Sequence, residues 1–496
     1  MTATTEPKTI RSTNNLAYHE RLKRILPGGV HYNFNMPWEE IPIHFVGGDG
    51  SRLTDMDGNE YLDLYARFGA MILGHQNPEY LDALTEAMQR VLCVSHCDFD
   101  ADALEIMHAH IPSAEMIRFG LSGTEILQTA LRLARAHTGR NRFLRFENHY
   151  HGNADNIMGG HVVDPRHPVP VEFRGDYKGT AGRAKDIMAD QSFLLPWNDA
   201  ERLQQFFDEH GHMLACVLTE PVCVNGGSIE PAPGFLELLR KLCTEHGVVL
   251  IFDEMITGMR LGVGGAQARY GVTPDLATFG KAIAGGGVPV SAITGRREIM
   301  SLLENKKVIH AGTYNGYPLG SAAVHATFEI LSRNDGEALR NMYERTETLH
   351  KILIDSAETA GLPLIVQGPA GLASFHCAPR PLQHPSEYDF EVMAKDIIVA
   401  TALQRHGVLV SSISRIYPNI QLSDADLEYF ARRAPLALRE AKATIDEIYR
   451  SRSSHAHTIH ALTTIVPAPL HVLRGGFPGA HDRHRVGIVP VLPAQL

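Results

Sequence analysis

Apolar and polar positions recur with two different periods along this chain, and the switches between them mark its elements. After a polar tail over residues 1–14, LAYHERLKRIL carries a helical pattern that Pro27-Gly28-Gly29 stops. SRLTDMDGNEYLDLY then holds two alternating segments around Asp57-Gly58, a dipeptide that accepts the positive φ of a tight turn, so the spacing predicts a β-hairpin. Leu81, Leu84, Met88 and Leu92 return at helical spacing and predict a helix from Pro78 to about Leu92, with another after Asp100. Short apolar runs punctuated by Gly, Pro or Asp follow: FLRF (143–146), ACVLTE (215–220), VVLIFDE (248–254) and DLATFG (275–280). Helical stretches such as Glu125 to His137 and Gly234 to His246 lie between them. Strands alternating with helices predict an α/β fold with a mostly parallel sheet covered on both faces, and such sheets bind ligands outside the carboxyl ends of their strands.

After Gly320 the pattern turns to a long helical region, about Ser321 to Ala360, and then to mixed segments up to about Arg450. The economical division is a large domain over 76–324 and a smaller α+β domain over 325–450 that the N-terminal segment 1–75 joins. An appendage over 451–496 is rich in His, Pro, Ala and Val, with Asp482 as its only acid, and its histidines match no structural zinc spacing. No internal repeat is visible.

Composition narrows the classes. The 496 residues are 44% hydrophobic and 21% charged, which supports a large core and excludes disorder as the main state. Lys plus Arg is 46 against 56 for Asp plus Glu, a formal charge of -10, and no basic run offers a face to nucleic acid. The six cysteines are scattered without a CxxC pair and read as reduced thiols of a cytoplasmic protein, with Cys93 and Cys97 as buried packing residues. The N-terminus lacks the apolar core of a signal peptide, and no stretch approaches the roughly 18 apolar residues of a membrane span. GGDG at 47–50 reads as a turn, and neither nucleotide-binding glycine motif occurs.

The chemistry concentrates at the predicted strand ends. Asp253 closes a buried apolar strand, where a lone carboxylate is costly and needs a cationic or hydrogen-bonding partner. Lys281 follows another apolar strand amid Gly and apolar residues, a setting that depresses an amine pKa and favours imine formation. Alone, a strand-end ion pair and a surface lysine account for the two. Ser122-Gly123-Thr124 precedes an amphipathic helix whose free N–H groups suit a phosphate monoester, although plain N-capping leaves the same trace. In ENHYHGN, Tyr150 offers a ring face and Gly152 a close backbone approach, while His149 and His151 lack a third metal ligand at useful spacing. Gly312 and Thr313 of HAGTYNG form a further candidate phosphate loop.

SGT, YHG, DE at a strand end and a lysine 28 residues later, in that order, resemble the class III aminotransferases, fold type I enzymes that use pyridoxal 5′-phosphate (PLP). The likeness covers most of residues 20–445 and is greatest to glutamate-1-semialdehyde aminomutase and to β-amino-acid and ω-aminotransferases, over TEPVCVNGGSIEPAPGF and LIFDEMITGMRLGVGGAQARYGVTPDLATFGKAIAGGG. It implies that Lys281 holds PLP covalently and shuttles the substrate α-proton, and that Asp253 pairs with the pyridine nitrogen. It also implies Tyr150 and Met255, where the family usually has Val, on the two ring faces, with His151 beside them. Ser122, Gly123 and Thr124 take the phosphate, joined by Thr313 of a neighbouring subunit in a homodimer, and Glu220 orients the cofactor. No metal is implied.

The substrate side departs from the aminomutase. In PGGVHYNFNMPWEE, Asn35 falls where that enzyme carries a carboxylate-binding Arg and Tyr32 replaces Ser; Phe68 of ARFGAM replaces Trp. Asn cannot replace the charge of an Arg–carboxylate pair. Arg67 and Arg415 are the candidate substitutes, each also accounted for by a salt bridge, and Tyr32, Phe34, Trp38 and Phe68 suit an apolar or aromatic amine. The expectation is an aminotransferase acting on a β-, ω- or specialised amino compound. An aminomutase comes next, then a racemase, a decarboxylase or a silent PLP-binding protein.

Overall fold

The computed structural model describes residues 11–31, 43–94, 96–157, 192–411 and 414–450, and Tyr32, Asn35, Phe34, Trp38 and the appendage lie outside them. In chain order the strands are β1 (Phe45–Asp49), β2 (Arg52–Asp55), β3 (Glu60–Asp63), β4 (Met116–Gly120), β5 (Arg142–Phe146), β6 (Ser192–Leu195), β7 (Leu214–Thr219), β8 (Val249–Asp253), β9 (Leu276–Phe279), β10 (Ser291–Gly295), β11 (Ile365–Gln367), β12 (Ala373–His376), β13 (Val408–Leu409) and β14 (Arg415–Ile416). The helices are α1 (Thr13–Lys23), α2 (Pro78–Arg90), α3 (Phe99–His110), α4 (Gly123–Thr138), α5 (Ala200–His210), α6 (Phe235–His246), α7 (Gly265–Tyr270), α8 (Arg297–Glu304), α9 (Pro318–Thr359), α10 (Phe390–Arg405) and α11 (Asp424–Arg450).

The central sheet runs β4-β10-β9-β8-β7-β5-β6, parallel throughout except for β10, which is antiparallel to both neighbours. Every residue of β7, β8 and β9 is buried, as a strand covered on both faces requires. The α/β class read from the alternating pattern is the observed one. Two smaller sheets flank it, β1-β2-β3-β13 and β11-β12-β14. The Asp57-Gly58 hairpin forms as predicted and is pinned by α1: the buried Asn15 amide donates to Asp55 Oδ2 (3.1 Å) and Asp57 Oδ2 (2.7 Å).

One long helix serves two cores. Residues Asn334–Gly336 of α9 adopt positive φ and kink it; Phe328 and Leu331 pack under the central sheet, whereas Leu349 and Leu353 join Phe375, Leu403 and Leu438 in a second core.

Three expectations change. In α2 Tyr80 and Ala87 are buried and Leu84 packs partly buried beside them, while Leu81, Met88 and, beyond the helix end, Leu92 are exposed. Docking on α9 buries the face whose Tyr80 hydroxyl donates to Ala284 O (2.6 Å). Cys93 is exposed and Cys97 half-buried, because α2 ends at Arg90 and leaves them on no helix face; the other four cysteines are buried. Of GGDG, Gly47, Gly48 and Asp49 belong to β1, and Gly50 (φ +55) makes the turn. Among the described residues no helix is long and apolar enough to cross a membrane.

Next to β3, residues Ala66, Arg67, Phe68 and Gly69 all have positive φ (43, 51, 57 and 83°), a left-handed turn that L-residues resist. A second local constraint is Glu254, fully buried, which accepts from Thr257 Oγ1 (2.8 Å), Ala266 N (2.7 Å) and both Gln267 N (3.0 Å) and Nε2 (3.2 Å). Glu254→Ala strands these donors in the interior and is expected to destabilise by about 3 kcal/mol or more. The expected signature is a lower midpoint in urea unfolding; a midpoint unchanged from wild type refutes the anchoring role.

Candidate active site

Five parallel strands deliver polar residues to one edge of the sheet. The chain leaves β4 through Ser122, β5 through Tyr150 and His151, β7 through Glu220, β8 at Asp253 and β9 through Gly280 to Lys281. Gly123, Thr124, Tyr150, His151, Asp253, Met255 and Lys281 line a single cavity of about 430 Å³, with Ala70, Gly280 and residues 286–290 also in its wall.

The turn into α4 is built for close approach. Ser122 caps the helix, accepting from Glu125 N (3.3 Å), and so leaves the first N–H groups of a 16-residue helix pointed outward. Thr124 Oγ1 accepts from Asn153 N (3.0 Å), and a side chain at Gly152 (φ +115) would lie 2.5 Å from that hydroxyl. A Cβ at Gly123 would approach Met255 Sδ to 3.0 Å, and one at Gly280 to 2.6 Å, so the two glycines make room for methionine.

Asp253 is 2% exposed; its Oδ2 lies 2.8 Å from His151 Nδ1, and its Oδ1 accepts from Met255 N (3.1 Å). Lys281 is half-buried and holds φ +48, a conformation costing roughly 1–2 kcal/mol that persists only where the surroundings impose it. Glu220 stands behind Tyr150 and outside the cavity lining: Oε1 accepts from Tyr150 N (2.6 Å) and Asn225 Nδ2 (2.8 Å), and Oε2 from Val224 N (3.3 Å). His149, weighed in the sequence only as a metal ligand, accepts from Glu220 N through Nδ1 (3.1 Å) and packs on Trp197. Among the described residues no group of three His, Cys, Asp or Glu is placed to hold a metal.

The substrate-side candidates scatter. Arg67 is exposed and Phe68 half-buried in the left-handed turn, Phe68 edge-on to Tyr65 at 4.9 Å. Arg415 is buried and donates through Nε to Val224 O (3.1 Å) and Nη2 to Asn225 O (3.1 Å). Thr313 is exposed on the loop before α9 and does not line the cavity of its own protomer. The wall over 286–290 had one sequence signal, the glycine run after Lys281; Asn225 had none.

The family model for aminotransferase class-III matches residues 35–433. The chain belongs to the class III aminotransferases. It is 35% identical over 429 residues to a glutamate-1-semialdehyde 2,1-aminomutase of Thermomicrobium roseum, covering 84% of this chain and 96% of that one. A protein of the same name from Desulfovibrio desulfuricans is 40% identical over 363 residues, 72% of this chain and 82% of the relative. Among solved structures, an omega-transaminase from Sphaerobacter thermophilus superposes with a TM-score of 0.79 at 28% identity, covering 87% and 98% of the two chains. This aminotransferase-family chain is thus a PLP-dependent transaminase or aminomutase. Its donor set fits PLP: a buried carboxylate for a cationic ring nitrogen, a helix start for a phosphate, and an amine in the same cavity.

Electrostatics tune the amine. Enclosure lowers the Lys281 pKa from its ordinary 10.5, opposed by the charges of Asp253 and Glu220 and assisted by Arg415. Burial raises Glu220 and drives His149 well down, so His149 stays neutral and keeps Nδ1 as an acceptor. Because Glu220 as an anion favours the ammonium, Glu220→Gln lowers the Lys281 pKa further. Borohydride trapping of PLP on the apoprotein is expected to rise with pH with a midpoint below 10.5 in wild type and lower still in the variant. A midpoint displaced upward overturns this electrostatic assignment.

Proposed function

We propose that the protein is an aminotransferase that moves an amino group between a small β-, ω- or specialised amino compound and a keto acceptor. The observation carrying the reading is that the Lys281 amine and the buried Asp253 carboxylate line one cavity with Gly123 and Thr124 of the anion-accepting turn. Held by these residues, PLP would supply the electron sink and the carrier of the amino group that an aminotransferase reaction needs. Lys281 Nζ would hold the cofactor and, freed by substrate, would serve as the base that takes the substrate α-proton and the acid that delivers it to the cofactor side. Asp253 holds a proton on the ring nitrogen by its negative charge, and His151 and Met255 N keep that carboxylate oriented. Tyr150 and Met255 would hold the ring, Ser122, Gly123 and Thr124 would hold the phosphate, and Glu220 sets the Tyr150 backbone. Thr313 is delivered to the phosphate of a second copy, which its exposure outside its own cavity supports, so the reading includes a homodimer. A cytoplasmic location belongs to the same reading, supported by six cysteines without a disulfide.

For the substrate we assign Tyr32, Asn35, Arg67 and Phe68 as contact residues, the first two on the sequence alone. Arg415 is a more indirect contributor, since two of its donors already serve backbone carbonyls. Asn35 in place of the expected Arg favours transfer between two molecules. The second reading, intramolecular transfer by a glutamate-1-semialdehyde aminomutase, is favoured by the two relatives of that name.

Absorbance titration of the holoenzyme with glutamate 1-semialdehyde, β-phenylalanine, ω-amino acids and aromatic amines separates them. Loss of the cofactor band with release of a keto product is the expected result; conversion of the semialdehyde to 5-aminolevulinate without a second substrate replaces it with the aminomutase. Lys281→Ala is expected to abolish borohydride-trapped PLP and cut turnover by about 10²–10⁴-fold with the fold intact. Trapped PLP at wild-type level in that variant would refute the role of Lys281.

A further inference from the structure

Among the large buried cations that the chemistry above leaves unused is Arg260. Arg260, in the segment between β8 and α7, is fully buried, and its hydrogen bonds among the described residues all go to backbone carbonyls. Nε donates to Gly69 O (2.6 Å), and Nη1 to Gly371 O (3.0 Å) and Pro418 O (2.8 Å). Burial pushes its pKa down to about 10, so it remains a cation, 5.3 Å from the centre of the Tyr417 ring. The three acceptors come from distant segments: the left-handed turn after β3, the approach to β12 and the stretch after β14. A guanidinium is a planar fork of fixed geometry, so sharing one among three carbonyls fixes their relative positions; a lysine ammonium cannot span them.

The turn it grips is the element that most needs an external restraint. Ala66, Arg67 and Phe68 sit in the left-handed region, and the turn is held at its start by Asp63, whose Oδ1 accepts from Tyr65 N (3.1 Å) and Ala66 N (2.8 Å). Its end is held by Arg260 at Gly69, where a Cβ would lie 2.8 Å from Nε and 3.0 Å from the Tyr417 ring. The turn packs on the Lys281–Ala284 segment and hands the chain to Ala70, which lines the cavity; a Cβ at Gly286, across the wall, would meet Ala70 O at 2.6 Å.

We infer that Arg260 is a positioning residue for the substrate: by holding the Ala66–Gly69 turn against the Lys281 segment, it sets the wall on which the amino compound rests. The inference rests on the proposed aminotransferase reading. It places the effect of Arg260 on the substrate side, because the turn it holds hands Ala70 to the cavity wall and carries none of the groups assigned to the ring nitrogen or the phosphate.

The test uses full-length holoenzyme. Wild type is assayed with β-phenylalanine, 1-phenylethylamine and glutamate 1-semialdehyde, and the compound turned over fastest is carried to the variants; turnover of none overturns the functional reading and this inference with it. Arg260→Lys is expected to keep its PLP, raise KM by about tenfold or more and leave kcat within about threefold. Gly69→Ala, whose methyl displaces the guanidinium from the other side, should reproduce that split, and it decides by the same criteria where Arg260→Lys is recovered unfolded. Ala66→Gly, which removes a left-handed penalty away from the Arg260 contacts, should return the KM of Arg260→Lys to within about threefold of wild type. A KM within twofold of wild type, a loss confined to kcat, loss of PLP from the variants, or no rescue by Ala66→Gly overturns the assignment while wild-type turnover leaves the functional reading standing.

Discussion

A carboxylate buried at the end of a strand has to be met by donors and positive charge, and much of this molecule is arranged around Asp253 doing so. Stripping water from such a group costs several kcal/mol unless hydrogen bonds and countercharge replace it. His151 and the Met255 amide occupy its two oxygens, and the register that sets Asp253 beside Thr278 brings Lys281 to the same edge three residues later. Successive side chains of a strand alternate in direction, and the chain exploits this at β8: Asp253 faces the cavity, whereas Glu254 turns to anchor the start of α7. The Met255 thioether then fills space that exists only because positions 123 and 280 carry no side chain.

The sheet β11-β12-β14 reaches this centre through one loop. Val224 and Asn225 offer carbonyls to Arg415, and Gly227 offers its own to Gln367 Nε2 (2.8 Å) and His376 Nε2 (3.0 Å). The same loop supplies Asn225 Nδ2 and Val224 N to Glu220, which in turn holds the Tyr150 amide. Hydrogen bonds therefore run without a break from β12 and β14 to the residue at the cavity mouth.

The sequence was most legible where one physical demand dominates. Fully apolar runs bounded by Gly and Asp are strands buried on both faces, and each of the four that were read lies in the central sheet. Asp253 and Lys281 could be found because burial makes charged groups conspicuous among apolar neighbours. Legibility failed where several packings satisfy one pattern. The periodicity of α2 identifies a helix but not which of its faces meets α9. Arg260 left no trace because carbonyl acceptors are present in every sequence, and the three it uses converge only once the chain is folded. Left-handed backbone at Ala66, Arg67 and Phe68 is invisible for a related reason: no side-chain preference announces it, and tertiary restraint imposes it.

The sheet β1-β2-β3-β13 also has a meaning in time. Leu62 pairs with Val408 and Asp63 with Leu409, so the outer edge of β3 stays open while the whole central sheet, which lies between them in the chain, is translated. An unpaired strand edge is a template for wrong partners, and closing a contact so distant in sequence is slow. Between β3 and β13 the growing chain therefore carries an open strand edge, and that edge is where a wrong strand pairing would begin.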